Sequence, residues 1–265
     1  MSSEAWAQLV LAGYGLIAAA LVLRQALGTK YSPVAWLLYV IARTHARAYH
    51  HWRSDRRCPF PSDGPAIIIA NHRSSVDPVY IWTNHHLGSR THRFRPISFL
   101  MAREYYDMPS LNWAFTALRS IPVERDGRDI AALKHALRVL QQGEMVAVFP
   151  EGRLNLESHD VLLPGSPGIA WLALRAKVPV FPVFIHNVPR GNTMLAPFLL
   201  PTRMRLIYGD AIDLSAYDGC KPTHALLQEV TAVLMRQLAE LGGIECSESA
   251  EDEEQPSIPI RPAVG

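Results

Sequence analysis

With 265 residues, 49% of them hydrophobic, the chain is long enough for one large domain with a buried core. Its three cysteines, Cys58, Cys220 and Cys246, form neither a CxxC pair nor a metal-ligand spacing, which excludes a disulfide framework and fits a reduced compartment. The net charge of +2 conceals a division: Glu245, Glu248, Glu251, Asp252, Glu253 and Glu254 face Arg261 alone at the C-terminal end, leaving 25 bases against 18 acids elsewhere. A basic body suits an anionic partner such as a lipid surface or a phosphorylated substrate. Nucleic acid is also anionic, but the bases are dispersed and no recognition motif accompanies them, which makes a nucleic-acid module the least favoured reading.

Residues 5–23, "AWAQLVLAGYGLIAAALVL", carry no charge and one polar amide, Gln8. Roughly 20 apolar residues span a bilayer core as a helix. No base precedes the stretch, which argues against a cleaved signal peptide. Arg24, Lys30, Arg43, Arg47, Arg53, Arg56 and Arg57 follow it and place the body on the cytoplasmic side. A second apolar stretch, "PVAWLLYVIA" (33–42), is too short to span, and its Trp36 and Tyr39 are ring types that favour the headgroup region. Residues 1–57 therefore read as two membrane-associating helices with a basic linker; the alternative is two soluble helices packed on the core.

The turn-rich "CPFPSDG" opens the main domain, 58–243. "PAIIIAN" reads as a buried strand, 78–87 as a helix, 88–96 as a basic loop and "ISFLMA" (97–102) as a strand. A helix over 109–118 and a short strand in "SIPVERDG" follow. Over 129–142, Ile130, Leu133, Leu137 and Leu140 share a helical face. "MVAVFP" (145–150), "VPVFPVFI" (178–185) and "RMRLIYG" (203–209) read as strands, with the prolines of the second marking an edge or irregular wall. Residues 168–176 and 223–241 read as helices, the latter ended by Gly242–Gly243. Strands alternating with helices predict an α/β fold: a mixed, largely parallel sheet flanked by helices. The acidic tail 244–265, with Pro256, Pro259 and Pro262, reads as disordered.

Residues 71–78, "NHRSSVDP", follow directly on the apolar strand. Asp77 before Pro78 is a helix start in its own right, an N-cap carboxylate ahead of an N1 proline. Yet chemistry in open α/β sheets sits at the carboxyl ends of strands. A histidine there is the natural base for a hydroxyl, and a carboxylate holds its other nitrogen. The pair works if His72 lies in the loop and Asp77 near the helix start. A carboxylate has two oxygens, one to cap and one to orient. "FPEGRL" (149–154) also follows a strand; Gly152 at positive φ explains it as a turn, while Glu151 and Arg153 suit a polar, anionic substrate. "IPVERDG" (121–127) exposes Arg125 beside a glycine turn.

Taken in order, "NHRSSVDP", "FLMAREYYDMPSLNWAFTALRSIPVERDG", "FPEGRL" and "VPVFPVFI" resemble the blocks of the glycerolipid acyltransferase family, which includes the 1-acylglycerol-3-phosphate acyltransferases. The resemblance covers about residues 58–215. It implies transfer of a fatty acyl group from acyl-CoA or acyl-carrier protein to a hydroxyl of a lysophospholipid. It makes His72 the base and Asp77 its orienting group, and matches Glu151 and Gly152 to acceptor binding and Arg125 to the acceptor phosphate. It implies no metal and no redox cofactor. The commonest third block places a threonine between glycine and arginine; here Arg153 follows Gly152 at once, which leaves the acceptor headgroup open. Two other readings stand beside this one. A thioesterase or lipid hydrolase would use water in place of the acceptor; Ser74 and Ser75 offer hydroxyls, but no G-x-S-x-G elbow is present. A non-catalytic membrane adaptor would need neither His72 nor Asp77.

Overall fold

The computed structural model describes residues 2–29, 31–88, 94–124, 129–156, 160–191 and 193–247. A seven-stranded sheet runs in the order β1 (Arg53–Ser54), β8 (Arg205–Tyr208), β7 (Val180–His186), β2 (Ala66–Ala70), β5 (Met145–Val148), β3 (Ile97–Ala102), β4 (Ile121–Val123). The five strands from β7 to β4 are parallel; β8 runs against β7, and β1 runs with β8. All five residues of β2 are buried, as a central parallel strand covered on both faces demands. The predicted mixed, largely parallel sheet flanked by helices is the observed architecture.

Side chains alternate across the sheet and divide the core. Ile68, Ala70, Met145, Ala147, Val183 and Ile185 pack beneath α2 (Pro33–Ala48) and α3 (Asp77–Gly88). On the other face, Ile67, Ile69, Val146 and Val180 pack with α6 (Ile130–Gln141), α7 (Gly168–Ala176) and α9 (His224–Gly242). Short helices α4 (Arg103–Tyr106) and α5 (Asn112–Ala117) lie between β3 and β4, where a single helix was predicted. Helix α8 (Ala196–Leu199) follows β7.

The α1 helix (Ser3–Leu27, 25 residues) is capped by Ser2 and has no buried residue, so its apolar surface is uncovered by protein. It is long and apolar enough to cross a membrane. The second helix departs from expectation. It continues through the supposed linker to Ala48, and its rings do not face outward. Trp36 and Tyr39 are buried, the Tyr39 hydroxyl donating to the Thr83 carbonyl (3.1 Å) while its ring stands edge-on to Trp82. The outer face shows Val34, Leu37 and Ile41 instead. One helix, not two, lacks any buried residue, α1 meeting the core only through Ala26 near its C-terminal end, and α2 is a core helix on its inner side.

Other expectations shift for local reasons. On α6 the innermost residues are Ala132, Ala136 and Leu140, while Ile130 is exposed: close approach of α7 favours the alanine stripe. Strand β7 is interior, not an edge. Its Pro182 sits where the antiparallel ladder with β8 ends, since pairing begins at Val183 opposite Tyr208 and the Gly209 N–H donates to the Pro182 carbonyl (2.9 Å). The tail expected from 244 begins with order, as β9 (Glu245–Cys246) pairs in parallel with β6 (Val161–Leu162). Residues 248–265 lie outside the described residues. In the loop read as basic surface, Arg95 is buried and donates to the carbonyls of Pro61, Gly64 and Gly143, while residues 89–93 lie outside the described set.

Candidate active site

Strand β2 delivers the segment 71–77 to the carboxyl edge of the sheet. Asn71 fixes the exit: its side-chain amide donates to the Ile185 carbonyl (3.0 Å) and its oxygen accepts from the Ile185 N–H (2.7 Å). A buried side chain thus continues the ladder to β7 where the β2 backbone turns away. The hydroxyls of Ser74 and Ser75 then donate to the carbonyls of Pro189 and Met194, both at 2.6 Å. These two bonds lash the turn to the loop after β7. They also commit the hydroxyls that a serine hydrolase would need, and Ser74 is buried.

The His72 Nδ1 lies 3.1 Å from Asp77 Oδ2. That same oxygen accepts the main-chain N–H of Arg73 (2.7 Å) and of Ser74 (2.8 Å). Asp77 Oδ1, also buried, has no hydrogen-bond partner among the described residues. The division of labour expected of two oxygens is therefore not observed: one oxygen takes every bond, and those bonds run back to the loop rather than forward into α3. The first turn of α3 is closed by main chain, with the N–H groups of Val79 and Tyr80 donating to the Val76 carbonyl. Asp77 stands at the helix start, as a helix-entrance reading requires, but its carboxylate serves the histidine loop.

His72 is held on two further sides. Its ring stacks on Phe149, centroids 4.0 Å apart and planes 14° apart, and Phe149 stacks in turn on Phe99. Its main-chain N–H donates to Glu151 Oε1 (2.8 Å), and its carbonyl accepts from Asn155 N–H (2.7 Å). The imidazole side chain is 20% exposed, so with Nδ1 occupied by Asp77 the remaining nitrogen, Nε2, is left for solvent or substrate.

Residues 149–152 form a turn closed by Gly152 N–H donating to the Phe149 carbonyl (3.0 Å). Proline at its second position and glycine at its fourth, with Gly152 φ at +68°, are the residues such a turn favours. This aims Glu151 inward. It is 7% exposed; Oε1 takes the His72 N–H, and Oε2 takes the Leu163 N–H (3.0 Å) and the Asn155 side-chain amide (3.2 Å). Burial pushes its carboxyl above the ordinary range, against the pull of those bonds. The carboxylate is thus committed to the chain's own loops, behind the histidine. Arg153, the next residue but one, is exposed. Arg125 lies outside the described residues.

Sequence reasoning passed over Asn71, Phe149, Asn155 and Arg73. Arg73 is 6% exposed, its guanidinium 5.8 Å from the Phe184 ring centre, with Nε and Nη2 unpartnered among the described residues. Burial chiefly, and Arg190 as a lesser cause, hold its pKa below the usual value, while Glu151 opposes them. Among the described residues no three His, Cys, Asp or Glu side chains converge as metal ligands.

Replacing Glu151 with glutamine tests this arrangement. The amide offers one acceptor and one donor where three donors now converge, so at least one N–H must face an NH2 group. We expect a loss of about 1–3 kcal/mol in chemical denaturation and a fall in turnover, because the backbone of His72 loses its anchor.

A profile of the Acyltransferase family matches residues 51–186, just over half of the chain, and takes in His72, Asp77, Phe149, Glu151 and Asn155. The chain belongs to the acyltransferase family. A relative from Mycobacterium tuberculosis, an uncharacterized protein, is 30% identical over 151 residues, which are 54% of this chain and 39% of the relative. The 1-acyl-sn-glycerol-3-phosphate acyltransferase of Bacillus subtilis is 22% identical over 181 residues, 68% of this chain and 83% of that one. Among solved structures, the 1-acyl-sn-glycerophosphate acyltransferase of Thermotoga maritima shares the fold. It has a TM-score of 0.59 at 19% identity and covers 84% of this chain and 88% of its own. The chain thus spans well under half of its mycobacterial relative but most of the Bacillus enzyme.

Proposed function

We propose that the protein moves a fatty acyl group from an acyl thioester, acyl-CoA or acyl-carrier protein, to a hydroxyl of a lysophospholipid such as 1-acylglycerol-3-phosphate. The observation that carries this reading is the His72–Asp77 pair, Nδ1 bound and Nε2 free, at the end of β2. The acceptor hydroxyl gives its proton to Nε2 as its oxygen attacks the thioester carbonyl carbon. The tetrahedral intermediate then expels the thiolate, which takes that proton back from the imidazolium. Asp77 holds the tautomer and offsets the imidazolium charge. Gly152 and Glu151 shape the acceptor side of the loop, Glu151 through the backbone bonds it accepts.

Membrane lipid is the partner and source of acceptor, with α1 in the bilayer and the catalytic domain on the cytoplasmic side, where Arg24, Arg43 and Arg47 lie. No metal, redox cofactor or nucleic acid takes part. Arg125 and Arg153 are the proposed ligands of the acceptor phosphate, for which a bidentate guanidinium is suited. Arg153→Ala should raise the KM for acceptor by about tenfold and leave the KM for thioester unchanged, with Arg153→Lys recovering part of the loss. Steady-state kinetics with each substrate varied in turn decide this. The reading as a whole is tested by supplying the purified full-length protein with an acyl thioester and a panel of lysophospholipids. Diacyl product supports it; free fatty acid alone would make the protein a hydrolase, and neither product would favour an adaptor.

A further inference from the structure

Beside the site, outside the family's sequence blocks, lies a surface that neither the core nor the chemistry explains. Leu195, Leu199 and Leu200, on and around α8, are exposed by 60%, 72% and 42%. They are not part of a loose loop. The Leu199 carbonyl accepts from the Tyr49 hydroxyl (2.6 Å), and the Phe198 carbonyl pairs with His45 Nε2 (2.9 Å), so α8 is fastened to the last turn of α2. On its other side, Met194 accepts from Ser75 in the catalytic turn. Three large side chains are thus held outward by backbone bonds on both flanks, an arrangement that costs solvation unless something apolar covers them.

The charges around them identify what does. Arg47 lies in the last turn of α2, two residues before Tyr49, and Arg203 follows three residues after Leu200. Both are exposed, and neither is paired with an acid among the described residues. Exposed leucines rimmed by unpaired arginines match a lipid interface: the apolar groups enter the acyl boundary and the guanidinia meet anionic headgroups. The patch also continues the outer face of α2, where Val34, Leu37 and Ile41 are exposed, towards the uncovered α1.

We infer that residues 194–200 form a second membrane contact, separate from α1, which seats the mouth of the active site on an anionic leaflet. The acceptor then passes from the bilayer to His72 without crossing water. This contact rests on the reading of α1 as a membrane helix, and its test separates the two.

In the full-length protein with Cys220 and Cys246 changed to serine, a nitroxide is placed in turn at Leu199→Cys, at Leu16→Cys in α1 and at exposed Lys221→Cys. Each is reconstituted into phosphatidylcholine–phosphatidylglycerol vesicles, and collisions with oxygen and with a water-soluble nickel chelate are measured. At position 199 we expect high oxygen and low nickel accessibility, resembling position 16 and unlike 221. A label at 199 open to nickel while that at 16 is shielded overturns the second contact and spares α1. Shielding from both reagents at 199 would mean a protein covers the patch, a second copy included, and overturns it too. If 16 and 199 are both open to nickel, the membrane reading itself fails and the second contact with it. In parallel, Leu195→Ser combined with Leu199→Asp should lower the rate on vesicle-borne acceptor by about tenfold, with the rate on a short-chain, water-soluble acceptor unchanged. Equal loss on both acceptors would make α8 a structural support only.

Discussion

His72→Ala should abolish acyl transfer, lowering kcat by about 10⁴-fold or more, in a protein that still folds. The expectation rests on how little else the imidazole does. Its Nδ1 meets Asp77 and its face meets Phe149, but the bonds that fix the loop are main-chain: His72 N–H to Glu151, and Asn155 N–H to the His72 carbonyl. Alanine keeps both. Losing the ring stack costs about 1 kcal/mol, visible as a small shift in thermal midpoint but not as unfolding. Circular dichroism and a melting curve, set beside the transfer assay, separate the two effects. Near-normal turnover in a folded His72→Ala protein would return the segment to the plain role of a helix entrance.

Much of this site was legible because its signals are local. A run of β-branched residues in "IIIA" specifies a doubly buried strand, and a strand end is where an α/β sheet does chemistry. The spacing of His72 and Asp77 requires only a turn between them, and "FPEG" is nearly its own turn. What escaped the sequence depends on partners far along the chain. Asn71 answers Ile185, and Glu151 answers His72 and Leu163; nothing near a glutamate in sequence says whether its carboxylate faces substrate or a loop. The same limit misplaced Trp36 and Tyr39, since an apolar helix face looks alike whether lipid or α3 covers it. Alanines at 132 and 136 are weak signals beside Ile130, yet close packing of α6 on α7 selects them. Two-residue strands such as β1 and β9 are too short for any periodicity.

Asp77 offers the sharpest separation of fold from chemistry. Two main-chain N–H groups and one imidazole nitrogen converge on Oδ2, while Oδ1 is without a partner among the described residues. Alanine would leave the buried N–H groups of Arg73 and Ser74 without an acceptor, at about 1–3 kcal/mol each, and should destabilise the protein as well as inactivate it. Asparagine is different. Its oxygen can take the place of Oδ2, because the opposite rotamer would press an NH2 against two N–H donors. The amide is therefore pinned, the His72 tautomer is kept, and Nε2 remains the free base. What is lost is the charge that offsets the imidazolium as it forms. One unit charge at this separation, in partly buried surroundings, is worth about 4 kcal/mol, or roughly 10³-fold in rate. Asp77→Asn should accordingly keep a melting temperature near that of the parent and lose most of kcat, with both KM values little changed. Asp77→Ala should lose kcat and stability together. An Asp77→Asn protein that melts as low as Asp77→Ala would mean that asparagine fails to replace Oδ2 as the acceptor of those N–H groups. One with undiminished kcat would mean that Asp77 only builds the turn and that no charge is needed behind His72.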